Sequence, residues 1–141
     1  MMSDILEKPL PRIDSVTHPF WEATASDRLV MQRCAACGSF VWTPRPACNE
    51  CGSDSLVWTT LGGRGTIFSY TIIRRVRGLG SRAFEPEIPY AVIWVDLEEG
   101  PRMISNLVGD THDRVAIGQQ VRVVFEAAPG GIKLPKFALA R

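Results

Sequence analysis

The sequence lacks any long apolar run. Its longest apolar stretches have the length of a β-strand, as at residues 90–95, whereas a membrane-spanning helix needs about 20 such residues. Net charge is also small, because 16 lysines and arginines stand against 15 aspartates and glutamates and give +1 at pH 7. These two absences argue against a membrane-spanning helix and against strong nonspecific attraction to nucleic acid or to an anionic membrane.

Histidine is scarce as well, since His18 and His112 are the two in the chain. Neither has an evident serine or carboxylate placed to activate it, and a lone histidine in a polar segment is more often a solvated side chain than a base. The N-terminus carries Asp4 and Glu7 where an export signal would have a basic region followed by an apolar one. We therefore expect a noncatalytic protein with a cytoplasmic location.

The first structural element that the sequence predicts is a short helix over residues 19–26. Pro19 suits a first helical turn, because its missing N–H would be unpaired there in any case. Phe20 and Trp21 give this helix more apolar surface than a solvated helix carries. We predict that the helix docks, either on its own domain or on a partner surface, and name Phe20 and Trp21 as the docking residues.

The four cysteines form two Cys-x-x-Cys-Gly motifs separated by ten residues, with Cys34 and Cys37 in the first and Cys48 and Cys51 in the second. Two residues between cysteines let both sulfurs reach one ion, and the following glycine permits a tight turn. Four thiolates make a closed tetrahedral site with no open position, so we predict structural zinc. The alternatives are two disulfides, a redox dithiol or a rubredoxin-like iron site.

Runs of β-branched and aromatic residues with the length of a strand lie on both sides of the cysteine motifs and continue through the second half of the chain. Short strands are predicted at residues 29–32, 41–43 and 56–61, and longer ones at 65–75, 90–97, 102–108, 119–126 and 136–140. Five strands in about 80 residues favour a small closed barrel of the OB type. The predicted fold is mainly β, with an arm and short helix over 1–28, a zinc ribbon over 29–61 and an OB-fold barrel over 62–141.

A local cluster of arginines ends the first long barrel strand. Arg74, Arg75 and Arg77 lie there, and Arg82 follows in a glycine-containing loop. The guanidinium group of an arginine can bind a phosphate through two parallel hydrogen bonds. This loop is therefore a candidate site for the phosphates of a nucleotide-like cofactor. The alternative is a strand edge and loop kept soluble by charge.

These residues together resemble a family of small proteins that pair a rubredoxin-like zinc ribbon with an OB-fold, domain-of-unknown-function family thirty-five, described as acyl-CoA-associated. The resemblance covers residues 18–141, and all four cysteines are present. Besides both cysteine motifs, the segments that carry it are PFWEA at 19–23, QRC at 32–34, GRGTIFSYT at 63–71, PYAV at 89–92, EGPR at 99–102, NLVG at 106–109 and LPKF at 134–137.

What the resemblance implies is a noncatalytic accessory subunit. Relatives look like partners of thiolase-fold enzymes, or are fused to enoyl-CoA hydratases, in lipid, polyketide or steroid metabolism. The catalytic groups would then lie on the partner. The resemblance assigns no CoA-contacting residue, and our own candidates for contact with the phosphates of a bound acyl-CoA are the loop arginines Arg74, Arg75 and Arg77.

Two other functions fit parts of the sequence. Zinc ribbons and OB-folds both bind single-stranded nucleic acid through basic grooves with stacking aromatics, and Phe68 and Tyr70 beside Arg74 are candidates for that role. The low net charge argues against it. Electron transfer at a four-cysteine iron site is the third possibility and requires a coloured, redox-active protein.

Overall fold

The computed structural model of the chain describes residues 7–109 and 112–140; Asp4 and Arg141 lie outside these ranges. Two 3₁₀ segments, Leu79–Glu87 and Pro129–Gly131, connect barrel strands. The helix and strands are α1 (His18–Ala25), β1 (Leu29–Cys34), β2 (Phe40–Val41), β3 (Leu56–Leu61), β4 (Arg64–Ile73), β5 (Tyr90–Leu97), β6 (Arg102–Leu107), β7 (Gln120–Ala127) and β8 (Lys133–Leu139).

The second half of the chain forms a closed barrel with the strand order β4-β5-β6-β8-β7. Its neighbours are antiparallel except β6 and β8, which run parallel where Leu107 pairs with Phe137. This order, with one parallel pair between the third and fifth strands, is that of an OB-fold, so the predicted five-stranded barrel is confirmed. Side chains alternate between core and solvent along β5, as Ile93 and Val95 are fully buried while Trp94 between them is exposed.

Two glycines at the entrance to the barrel permit close strand packing. Gly63 has a φ of +77°, and a Cβ atom built there would lie 2.3 Å from a methyl group of Val123. A Cβ atom on Gly65 would lie 2.5 Å from the carbonyl oxygen of Asp96 on β5. Both positions therefore exclude larger residues, which explains why the sequence around Arg64 reads Gly-Arg-Gly.

The first half forms a three-stranded antiparallel sheet with β1 in the centre. Its outer strand β2 covers Phe40–Val41, so the strand predicted at residues 41–43 is shorter and begins one residue earlier. In the barrel, β8 begins at Lys133 rather than at the predicted residue 136. β8 can include Pro135, which has no N–H to donate. β6 pairs with β8 at Phe137 and not at Pro135, so the proline interrupts no hydrogen bonds between these two strands.

Helix α1 begins one residue before the prediction, at His18, with Pro19 in its first turn as expected. The preceding turn is closed by Asp14, whose carboxylate accepts hydrogen bonds from the N–H groups of Val16 at 3.0 Å and Thr17 at 2.8 Å. The backbone hydrogen bond from Thr17 is the main cause that lowers the pKa of Asp14. Thr17 makes no side-chain capping hydrogen bond, and the first N–H of the helix, that of His18, donates to the carbonyl of Asp14 at 2.8 Å.

One apolar core joins the helix, the ribbon sheet and the barrel. Phe20 of α1, Met31 of β1 and Leu61 of β3 belong to the same buried cluster as Ile93 and Phe137 of the barrel. The division into parts at residues 28/29 and 61/62 stays a prediction, because the core runs across both boundaries. No helix in the described part of the chain is long and apolar enough to cross a membrane.

Candidate metal centre

The four cysteine sulfurs meet at the end of the ribbon sheet, as the spacing predicts. All four Sγ atoms lie within 4.8 Å of one another. The distances are 3.6 Å between Cys34 and Cys51 and 3.7 Å between Cys37 and Cys48. Sulfurs on a tetrahedral zinc ion at about 2.3 Å lie about 3.8 Å apart, whereas a disulfide needs about 2.0 Å. The cysteines therefore fit one ion and form a structural zinc site with all its positions filled by protein.

The two cysteine motifs fold into nearly identical turns. Cys34 donates its N–H to the carbonyl of Ser39 at 2.8 Å, and Cys48 donates its N–H to the carbonyl of Ser53 at 2.7 Å. The glycine after each second cysteine has a positive φ, which is +78° at Gly38. The turn chemistry of the two motifs is thus set by the same local sequence, Cys-x-x-Cys-Gly-Ser.

The glycine of each motif closes its turn with a backbone hydrogen bond, as Gly38 donates to the carbonyl of Cys34 at 2.8 Å and Gly52 donates to the carbonyl of Cys48 at 2.9 Å. A sulfur-directed amide is that of Glu50, which lies 3.4 Å from the Sγ atom of Cys48. The glycines serve the turn, while amides inside the motif stabilise negative charge on sulfur.

Electrostatics within the site favour a bound cation. The side chain of Ser39 is the main cause that lowers the pKa of Cys37, to about 6. The backbone N–H of Ser53 lowers the pKa of Cys51, but hydrogen bonding with Cys34 and burial outweigh it and raise that pKa to about 12. The thiol of Cys37 thus ionises readily, whereas that of Cys51 resists ionisation next to the other cysteines. A divalent metal ion supplies the positive charge that stabilises all four thiolates together. Ser39 is a contributor that the sequence analysis missed, although the repeated Gly-Ser pair signals it.

The two residues predicted to dock occupy different environments. The side chain of Phe20 is only 3% exposed and packs edge to face on Trp21 and tilted on Trp42, with ring centroids 4.9 Å and 5.2 Å away. Phe20 therefore packs within this chain and also lines the groove described next, while its contact with a partner stays a prediction. Trp21 is half-buried and lines an apolar groove of about 430 Å³ beside Trp42 and Ile104.

The predicted arginine loop begins where β4 ends, at Ile73. Arg74, Arg75 and Arg77 are all exposed, and Arg82 lies in the following 3₁₀ segment. Ile73 pairs with Tyr90 at the start of β5. Tyr90 in turn lines a cavity of about 290 Å³, so the loop leaves the barrel next to this cavity.

The cavity collects charged residues that are distant in sequence. His112 lines it together with Glu87 and Glu126, so carboxylates lie nearer to this histidine than the sequence suggests. Both carboxylates are held by lysines: Lys136 donates to Glu126 at 2.8 Å, and Lys8 forms an ion pair with Glu87. The other histidine, His18, is exposed at the start of α1. The described wall of the cavity thus carries two lysine–carboxylate pairs near His112.

The fold and the sulfur site define a protein that joins a rubredoxin-like zinc ribbon to an OB-fold barrel. Comparison with known families agrees: the rubredoxin-like zinc ribbon domain of ChsH2 matches residues 21–57, and its C-terminal OB-fold domain matches residues 58–126. A DUF35 domain-containing scaffold protein of Methanothermobacter thermautotrophicus is 34% identical over 98 residues, which are 69% of this chain and 71% of that protein. The chain belongs to the DUF35 family, as the resemblance in sequence predicts.

Two further relatives are informative. A protein of Thermomonospora curvata named as a probable enoyl-CoA hydratase alpha subunit is 36% identical over 130 residues, or 92% of this chain. The chain spans 39% of the length of that protein. Among solved structures, a chain of the Ltp2-ChsH2(DUF35) aldolase is 36% identical with a TM-score of 0.80, covering 94% of this chain and 100% of that one.

Proposed function

We propose that this chain is a noncatalytic accessory subunit that docks on a thiolase-fold or enoyl-CoA hydratase enzyme of lipid metabolism. The observation that carries the proposal is the likeness to the chain of the Ltp2-ChsH2(DUF35) aldolase, which extends over 94% of the residues here. The alpha-subunit name of the hydratase relative points to the same kind of assembly.

The chemistry of the site supports a structural role for the chain. All four cysteines converge on one closed metal site, so none of them is left as a nucleophile. The carboxylates beside His112 are paired with lysines. The chain would therefore act by shaping or covering the active site of the partner, where excluded water strengthens polar interactions.

Acyl-CoA binding is the finer part of the proposal. Arg74, Arg75 and Arg77 are exposed in one loop and can bind phosphates, and the loop starts beside the cavity that Tyr90 lines. An acyl-CoA would place its phosphates on the loop and its thioester arm along the cavity.

The test of subunit function is association with a defined enzyme. Ltp2 of that aldolase and each recombinant thiolase-fold and enoyl-CoA hydratase protein of the source organism form the panel, and the complex is detected by size exclusion and by mutual stabilisation against heat. We expect one of them to bind. Failure of every enzyme to bind, or turnover of an acyl thioester by the isolated chain at an enzymatic rate, contradicts the proposal.

The test of acyl-CoA binding is calorimetric titration with CoA and an acyl-CoA. The variant Arg74→Glu/Arg75→Glu should lose at least about tenfold in affinity, because charge reversal repels the phosphates. Arg28→Glu, which reverses another exposed arginine, next to β1, serves as the control. Equal affinity of all three proteins, or no binding by any, means that the chain does not hold the CoA phosphates at this loop.

A further inference from the structure

The outward side of the barrel carries an exposed apolar patch, defined by Phe68, Trp94 and Ile104 and called the aromatic face below. Their exposed fractions are 47%, 43% and 48%. Trp94 on β5 lies directly opposite Ile104 on β6, and Phe68 is the extra residue where the register of β4 shifts against β5. Three large apolar side chains thus share one surface on three adjacent strands.

Two arginines on the outer surface of the same barrel form an unfavourable pair, and one of them precedes Phe68 by four residues on β4. Arg64 on β4 and Arg122 on β7 are direct cross-strand partners, and both are exposed. Within residues 7–109 and 112–140, neither makes an ion pair. Like charges placed directly opposite each other destabilise an antiparallel pair. The free chain therefore carries an electrostatic cost here, which an anionic group on a partner would relieve.

A third arginine is already engaged. Arg102 forms an ion pair with Asp96 at 2.5 Å, and its guanidinium lies 3.5 Å from the centre of the Phe68 ring. The guanidinium covers the ring face on which a nucleic acid base would stack, and the carboxylate of Asp96 would repel a phosphate. Both observations favour a protein partner over single-stranded nucleic acid.

The composition of this surface is also that of a protein interface. Tryptophan, phenylalanine and arginine are enriched in interfaces, and tryptophan and arginine are also enriched among the residues that contribute most to binding. Ile104 in addition borders the groove that Trp21 and Trp42 line. The apolar surface therefore continues from the barrel to the helix that the sequence singled out.

We infer that the aromatic face is the surface that contacts the partner enzyme, and that the partner presents an apolar patch flanked by aspartate or glutamate carboxylates that meet Arg64 and Arg122. This inference rests on the proposed function, because it names the face and the partner chemistry of the same assembly. It goes beyond the proposed function in locating the centre of the contact on the outer side of the barrel strands.

The apolar part of the inference is tested with Trp94→Glu and Ile104→Glu against the enzyme from the panel that binds the unaltered chain. Each variant should weaken binding at least about tenfold, because the desolvated centre of an interface excludes an unpaired charge. Ile117→Glu is the matched control, since Ile117 is 67% exposed in the connection between β6 and β7, outside the aromatic face. Zinc content and circular dichroism confirm that each variant is folded.

The charged part of the inference is tested with a variant whose expected effects differ from those of a folding defect. Arg122→Glu converts the like-charged pair into an opposite-charged one, so the free chain should unfold at the same or a higher temperature while binding to the partner weakens at least about tenfold. Rising salt should weaken the complex of the unaltered chain more than that of the variant.

The outcomes separate the two levels of the proposal. If no enzyme of the panel binds the unaltered chain, the proposed function fails, and the docking face fails with it. If an enzyme binds but tolerates Trp94→Glu, Ile104→Glu and Arg122→Glu as well as Ile117→Glu, the function stands and this face is overturned. Tight, salt-sensitive binding of a single-stranded oligonucleotide that Trp94→Glu abolishes would also overturn it in favour of nucleic acid.

Discussion

Gln32 and Arg45 are joined by two hydrogen bonds that form a closed ring. The side-chain amide of Gln32 donates to the carbonyl of Arg45 at 2.8 Å, and its oxygen accepts the N–H of Arg45 at the same distance. Gln32 is a buried polar residue on the central ribbon strand, with 6% of its surface exposed. This pair holds the loop between the two cysteine motifs against the sheet, so it links the fold of the ribbon to the geometry of the metal site.

We predict that Gln32→Leu destabilises the chain through this ring. The variant keeps the approximate size of the side chain but removes two part-buried hydrogen bonds to the backbone of Arg45, which costs about 0.5–1.5 kcal/mol for each bond in the free energy of unfolding. Chemical denaturation monitored by tryptophan fluorescence measures the change. Arg45→Ala, which keeps both backbone groups, should leave stability nearly unchanged, and an equal loss in the two variants would refute the role of the ring.

Removal of zinc should loosen the cysteine end of the ribbon more than its barrel end. Cys34 and Cys48 form a small separate cluster with Val41, whereas Leu29 and Met31 belong to the main core. Chelation should therefore increase amide hydrogen exchange between residues 34 and 56 and leave residues 29–31 protected. Uniform exchange across the whole ribbon would show instead that its sheet depends on the metal throughout.

Zinc release should depend on pH, and Ser39 should set where it occurs. Protons compete with the metal for thiolates, so affinity falls as pH falls. Because the hydrogen bond from Ser39 lowers the pKa of Cys37, Ser39→Ala raises that pKa, and zinc should leave the variant at a higher pH than the unaltered chain. A zinc-sensitive dye measures the midpoint of release.

The matched control for Ser39 is Ser53→Ala in the second motif. The group of Ser53 that lowers the pKa of Cys51 is its backbone N–H, which the substitution keeps. Its hydroxyl accepts the N–H of Ser55 at 3.1 Å, away from the sulfurs. The pH of zinc release should therefore change little in this variant, and an equal change in both variants would contradict a specific role for the Ser39 hydroxyl.

Barrel closure should depend strongly on Phe137. Its side chain is fully buried, and it pairs with Leu107 on one side and with Val123 on the other. Phe137→Ala should lower the free energy of unfolding by about 3–5 kcal/mol, because it removes apolar contacts and leaves a cavity. Thermal denaturation of the zinc-loaded protein measures the loss, with the exposed Ile117→Ala as a control that should stay close to the unaltered chain.

Local patterns were sufficient for the metal site and for most of the strands. The spacing of Cys34, Cys37, Cys48 and Cys51 predicts a shared ion because each motif needs only its own turn to bring two sulfurs together. The β5 strand was located to the residue, because its apolar run is bounded by Pro89 and by charged residues. Errors fell at strand ends, as at β8, where the pairing partner rather than the local sequence decides how far the strand extends.

Which aromatic side chains face solvent was beyond the reach of the sequence. Phe20 and Phe68 are the same residue type in equally apolar surroundings, yet one is 3% exposed and the other 47% exposed. Along β5, apolar residues occupy both faces of the strand, so the sequence does not show which of the two faces is buried. Nor does any local pattern place Arg64 opposite Arg122, since that depends on the register between two strands more than 50 residues apart in the chain.

The sequence by itself determined that four thiolates bind one zinc ion and that a small β-barrel follows, because short-range spacing and alternation dictate both. Only the tertiary structure decided which surface the barrel offers to a partner. The physical reason is that closure of the sheet selects one face of every strand for the core at the same time, and that choice is made by all five strands together.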